Sequence, residues 1–163
     1  LIFFRLNKLP VLPMLDIIAI LTCIVHGFGR LGCFLAGCCY GVPTEGPVAV
    51  VFEDPLTQAR PMHTPLHPTQ LYSVMLIAAT AVVLVLVMRR RQFYGQLFML
   101  YLMMYSIGRS VIEVFRGDLS RGYAIGNTVS NAQFVSFIVF VVALYLYVRL
   151  KNNPKYQVRR ASS

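Results

Sequence analysis

Tyr105, Arg109, Glu113 and Arg116 recur at close to the spacing of a helical turn. On an ideal α-helix they fall at roughly 0°, 40°, 80° and 20°, so two guanidiniums, a carboxylate and a phenol share one narrow stripe. Their neighbours are Leu, Met, Ile, Val and Phe. A charged side chain at membrane depth costs about 2.5–3.5 kcal/mol on insertion scales and needs a reason to be there. The plainer alternative is that Arg109 and Glu113 neutralise each other at i, i+4 and hold helices together, with Arg116 an ordinary interfacial arginine. Arg30 weighs against it, because it also lies toward the end of an apolar run with no acid nearby in sequence. Three arginines against one carboxylate leave positive charge that suits an anion, and guanidinium forks fit phosphate oxygens. In a membrane the abundant phosphate is a lipid head group.

The run Gly27–Gly41 brings glycine close to Arg30: Gly27, Gly29, Gly32, Gly37 and Gly41 weaken a helix but allow close approach of a neighbour or ligand. Helix packing around small residues explains Gly27 without chemistry, but it does not explain Arg30. Cys33, Cys38 and Cys39, with His67, raise a metal reading; the spacing is not CxxC and no second pair exists, so no metal is expected. Small buried hydrophobes, or a disulfide on an oxidising face, are the alternatives for these thiols. His67 precedes Pro68 at the mouth of an apolar run and is a candidate beside the same cavity. His26 and His63 are assigned no role.

The elements that must position these groups are membrane helices. Of 163 residues, 57% are hydrophobic and only 13% charged, about half the charged fraction of a soluble domain. The net charge of +9 falls at the ends of apolar runs, a topology signal rather than a duplex-binding patch, and nucleic acid is not expected as a partner. Four spans are predicted at about 14–36, 68–88, 94–115 and 132–148, given that about 20 apolar residues cross the hydrocarbon core. The fold class expected is an all-α membrane bundle forming one domain over residues 1–150, with a basic cytoplasmic tail at 151–163. Arg5 and Lys8, then Arg89, Arg90 and Arg91, then Arg149, Lys151, Lys155, Arg159 and Arg160 all fall on one side of a four-span arrangement, as the positive-inside rule asks. The loops 37–67 and 116–126 lie on the other, outer side. Val48–Phe52, between Pro47 and Pro55, reads as a short strand or hairpin there. The chain begins at Leu1 rather than Met, from which an upstream segment is expected.

These residues resemble the prolipoprotein diacylglyceryl transferase family. Gly29-Arg30-Leu31-Gly32-Cys33-Phe34, running on to Gly41, is similar to the signature G-R-x-G-N-F-x-N-x-E-x-x-G. His67-Pro68-Thr69-Gln70-Leu71-Tyr72 resembles H-P-[ST]-Q-L-Y, and Tyr105, Arg109, Glu113, Phe115 and Arg116 resemble a Y-x3-R-x3-E-F-x-R helix. Ser130-x-x-Gln133 and Asp16-x-x-Ala19 are similar to further segments, all in the family's order. Cys33 stands where the family usually has Asn, and Cys38 where it usually has Glu.

The resemblance implies a bacterial inner-membrane enzyme with its site on the periplasmic side. It would transfer the diacylglyceryl group of phosphatidylglycerol to the lipobox cysteine of a prolipoprotein, without a cofactor. It implies substrate binding by Arg30, Arg116, Gly29, Gly32, Cys33, Cys38 and Gly41, and catalytic work by Arg109, His67, Glu113 and Tyr105. The other class the sequence allows is a non-catalytic membrane protein that binds anionic lipid or uses its cysteines for thiol or metal chemistry.

Overall fold

The computed structural model describes residues 6–60, 62–116, 123–125 and 129–158. Arg5, Arg159, Arg160 and most of the loop after Arg116 lie outside the described residues. Four helices organise the rest: α1 (Val11–Leu35), α2 (Thr69–Met88), α3 (Gln96–Val114) and α4 (Asn131–Lys151). With 25, 20, 19 and 21 residues, they extend about 28–38 Å at 1.5 Å per residue, enough to cross a hydrocarbon core.

Their ends follow from local chemistry. α1 starts at Val11, earlier than expected, because Pro13 falls in the first turn, where N–H groups lack helical partners anyway. Pro68 occupies the cap position of α2. Ser130 and Gln133 form a reciprocal capping box at the start of α4, which ends in Arg149 and Lys151 beside the negative pole of the helix. α3 has no cap of its own. Gly95 precedes it at φ +91°, and Asp16 reaches across from α1 instead. The Asp16 carboxylate accepts from Gly95 N (2.9 Å), Leu97 N (2.9 Å) and Phe98 N (3.1 Å) while almost fully buried.

Successive helices run antiparallel. At one end Asp16 meets the start of α3, Gln96 Nε2 donates to the Tyr147 hydroxyl (3.4 Å), and the rings of Phe93 and Tyr147 pack edge to face. Arg89, Arg90, Arg91 and Lys155 follow helix ends there, and Arg149 and Lys151 occupy the last turn of α4. The predicted basic tail is not simply a tail. A turn at Pro154–Tyr156 folds it back, so that Tyr156 O accepts from Tyr94 N and Val158 N donates to Gln92 O, both at 2.9 Å.

Ala19, Cys23, Ile77, Leu84, Leu97 and Tyr101 form the shared core. Only 11–28% of each helix's most apolar stretch is buried inside the bundle. Ile17, Leu21, Val25, Phe28, Val82, Leu86, Val135 and Phe137 lie exposed, an arrangement that suits a lipid surround rather than water. Interior hydroxyls return their protons to the helix: Thr80 donates to Leu76 O (2.8 Å), and Ser73 to Thr69 O (2.9 Å). At the other end, β1 (Val50–Val51) pairs antiparallel with β2 (Pro65–Leu66). The expected short strand is therefore present, paired with the approach to His67. β3 (Tyr123–Ile125) pairs with β4 (Val129–Ser130) ahead of α4.

Candidate functional site

Three stretches of chain meet where α1 and α3 end and α2 begins. Gly41 N donates to His67 O (2.8 Å), Val42 N to Phe115 O (2.9 Å) and His67 N to Val42 O (3.1 Å). Gly41 also forms a bridge with Arg116. The glycine is required by space: a Cβ there would lie 2.3 Å from the Phe115 carbonyl oxygen and 2.7 Å from the His67 Cβ. Gly41→Ala is therefore expected to destabilise the protein by about 1–3 kcal/mol through overpacking. The control is Gly29→Ala, whose added Cβ meets nothing within 4 Å. Thermal unfolding in detergent should separate the two, with a lowered midpoint for Gly41→Ala alone.

Arg109 and Glu113 form the ion pair that their spacing suggests. Ser130 Oγ donates to Glu113 Oε1 (3.3 Å) and Gln133 Nε2 to Ser110 O (3.4 Å), so the capping residues of α4 also fix the acid of α3. The ion pair does not exhaust the charge. Arg109 lies within electrostatic reach of Tyr105, Arg116 and Arg30 as well as Glu113. Glu113 pairs with Arg109, and Arg116 and Arg30 add positive charge within electrostatic reach of it at the end of an apolar bundle. An open groove of about 560 Å³ runs from Tyr105 and Arg109 along Asn131, Ala132, Val135 and Ser136 of α4.

One expected position needs correction. Arg116 is not on the α3 stripe. The helix stops at Val114, and Arg116 follows in a closing turn, its N–H donating to Glu113 O (3.1 Å) while it bridges Gly41. Open space borders Gly29 and Gly32, where an added Cβ would meet no described atom within 4 Å, while one at Gly27 would make an ordinary contact with Ile77 at 3.9 Å. Tyr105 sits against the His26 ring (centroids 5.2 Å apart) and stacks on Tyr101 (5.9 Å). His26, assigned no role from sequence, therefore packs directly against one of the candidate residues. The signal was its i, i+4 relation to Arg30, which puts both on one face of α1.

His67 Nδ1 is 3.0 Å from the Tyr72 hydroxyl, and its ring packs on Phe115. The first turn of α2 also holds the loop that follows α1: Thr69 Oγ1 donates to Cys39 O and Gln70 Nε2 to Cys38 O, each at 2.7 Å. This loop turns on two left-handed residues, Gly37 (φ +65°) and Cys39 (φ +63°). It brings Cys38 and Cys39 back to Cys33, on the last turn of α1, with the three Sγ atoms within 4.8 Å of one another. Burial pushes the Cys38 thiol up to about 11, helped by its hydrogen bond to Cys33 and the charge of Cys39. Burial also raises Cys39, but the Arg116 hydrogen bond and charge, with Cys38 and Arg30, outweigh it and bring its pKa below the usual thiol value.

Four apolar helices define a multi-pass membrane protein, with the arginines and Glu113 gathered at one end of the bundle. The family model for prolipoprotein diacylglyceryl transferase matches residues 1–149, and the chain belongs to that family. It is 38% identical over 146 residues to the phosphatidylglycerol–prolipoprotein diacylglyceryl transferase of Clostridium tetani, which covers 90% of this chain and 57% of that protein. It is 35% identical over 141 residues to transferase 2 of Clostridium perfringens, covering 86% of this chain and 53% of the relative. A Campylobacter jejuni relative with the same name as the first is 30% identical over 153 residues, 93% of this chain and 53% of its own length. The chain spans about half the length of these curated relatives.

Proposed function

We propose that this chain acts in transferring the diacylglyceryl group of phosphatidylglycerol to the lipobox cysteine thiol of a prolipoprotein. The observation that supports the reading is that Arg30 and Arg116 lie within electrostatic reach of Arg109, whose one ion-pair partner among the described residues is Glu113, at the end of an apolar bundle. The basic end is cytoplasmic by the positive-inside rule, which turns the site to the outer side, where lipid head groups and an exported cysteine meet.

The reaction is a substitution at the glycerol carbon that bears the phosphate. The thiol loses its proton and its sulfur bonds to that carbon. The C–O bond breaks, and glycerol phosphate leaves with the electron pair. A free thiol, with a pKa of about 8.5, is only a few per cent thiolate at neutral pH. Fixed guanidiniums favour the thiolate and meet the charge that builds on the leaving phosphate, and in a low-dielectric site they act strongly. Glu113, held by Ser130, orients Arg109. His67 serves as the proton acceptor when Nδ1–H donates to the Tyr72 oxygen, which leaves Nε2 with its lone pair.

The test uses the complete gene product in vesicles, with phosphatidylglycerol labelled in its diacylglyceryl part and a lipobox peptide. The expected result is label on the peptide through a thioether, and none on a peptide with serine in place of the cysteine. Protein that is folded and inserted yet labels neither peptide would overturn the proposal.

A further inference from the structure

Cys33 and Cys38, which stand where the family usually has Asn and Glu, gather with Cys39 although their spacing is not CxxC. Cys33 comes from helix α1, while Cys38 and Cys39 come from the loop beyond it, and the Sγ atoms of all three lie within 4.8 Å of one another. A tetrahedral zinc–thiolate centre, with Zn–S near 2.3 Å, sets its sulfurs about 3.8 Å apart. Rotamer adjustments of about an ångström therefore suffice to close the set around one ion. The backbone is already braced for this. Cys38 N donates to Cys33 O (3.0 Å), and the Cys38 and Cys39 carbonyls are held by Gln70 and Thr69. A Cβ at Gly37 would collide with the Thr57 hydroxyl, so the turn that returns the thiols is specified by sequence.

Charge favours the same reading. Three thiolates around a dication leave one negative charge, and Arg116 and Arg30 both lie near enough to Cys39 to balance it. Such partners in the outer shell hold and tune a metal centre. No fourth Cys, His, Asp or Glu joins the group among the described residues. Three protein ligands with one position left over is the pattern of a catalytic rather than a structural zinc site.

We propose that Cys33, Cys38 and Cys39 bind one thiophilic divalent cation of the zinc class, leaving a fourth position for the acceptor thiol. The identity of that fourth ligand rests on the function proposed above. A thiol that coordinates such an ion gives up its proton, here to His67 or water. Its sulfur then bonds to the glycerol carbon as the C–O bond to phosphate breaks. The ion is neither oxidised nor reduced.

Cobalt(II) is the probe. The complete gene product, stripped with a chelator under anaerobic conditions, should take up one cobalt per chain. The site should show sulfur-to-cobalt charge transfer in the near ultraviolet and the visible d–d bands of a tetrahedral thiolate centre. Cys33→Ser, Cys38→Ser and Cys39→Ser should each weaken uptake at least about tenfold, the scale on which even outer-shell changes act. A lipobox cysteine peptide should shift the d–d bands, and its serine analogue should not. The site is overturned by the absence of charge transfer, by an unchanged spectrum in the triple serine variant, or by thiol counting that finds a disulfide among the three. Labelled-lipid transfer by the same preparation separates the two proposals. Transfer without cobalt binding removes only the metal, while cobalt binding without transfer removes only the enzymatic reading.

Discussion

Replacing Arg109 with alanine in the complete protein is expected to lower diacylglyceryl transfer by about a thousandfold, while the protein still inserts. Removing one fixed donor to a developing anion typically costs 10²–10³ in rate, and an arginine acting on a phosphoryl group costs 10³–10⁵. Arg109 should reach about 10³, where the two ranges meet, for two reasons. It is 13% exposed, so water replaces it poorly, and its loss strands the Glu113 carboxylate, which is 9% exposed. That carboxylate would then repel the lipid phosphate that the pocket attracts.

The series has internal controls. Arg109→Lys keeps the charge but loses the planar fork, so most of the defect should remain. Glu113→Gln keeps the Ser130 contact and frees Arg109 from its partner, so it should act through orientation and cost far less than Arg109→Ala. Arg30→Ala should match Arg109→Ala in transfer rate. Normal transfer by either alanine variant, scored as thioether label on the lipobox peptide, would leave the pair as a mere tie between helices.

The second large effect is on stability. Asp16→Ala should destabilise the bundle by about 3 kcal/mol, because it removes charge-assisted bonds worth about 1.5–3 kcal/mol each, and an N-cap alone is worth about 0.5–2 kcal/mol. It strips three backbone N–H groups at the start of α3 of their acceptor, in a site where Asp16 is 1% exposed. Asp16→Asn keeps one carbonyl acceptor and should recover part of the loss. Thermal unfolding in detergent, or protease resistance in vesicles, measures both. An unchanged midpoint for Asp16→Ala would mean that Asp16 does not carry the cap. Transfer should fall in step with the folded fraction and not beyond it, which separates this residue from Arg109.

The fold and the site were legible in the sequence to different depths. The spans came from the length and apolarity of four segments, and their ends moved by at most three residues, the most at Val11 and at Lys151. The Arg109–Glu113 pair was legible because i, i+4 partners need only one helix. Arg116 was misplaced because the helical stripe was continued past Val114, where the chain instead turns to bridge Gly41. The Asp16 cap was not legible, since its partners lie about eighty residues away in the chain and no local pattern announces them. The meeting of Cys33 with Cys38 and Cys39 depends on two left-handed residues, Gly37 and Cys39, the second of a type that rarely adopts that conformation. Glycine at position 37 hinted at the turn. Nothing in the local pattern marked Cys39.

The hydrogen bonds that fasten Gly41 and Val42 to His67 and Phe115 also govern how this chain can vary. Everything between those anchors is an excursion that leaves one fixed point and returns to it, with its exposed tips near Val48 and Leu56. The entropy of closing such a detour grows only logarithmically with its length. Residues gained or lost at the tips are therefore absorbed there, and the arginines keep their places however long the detour becomes.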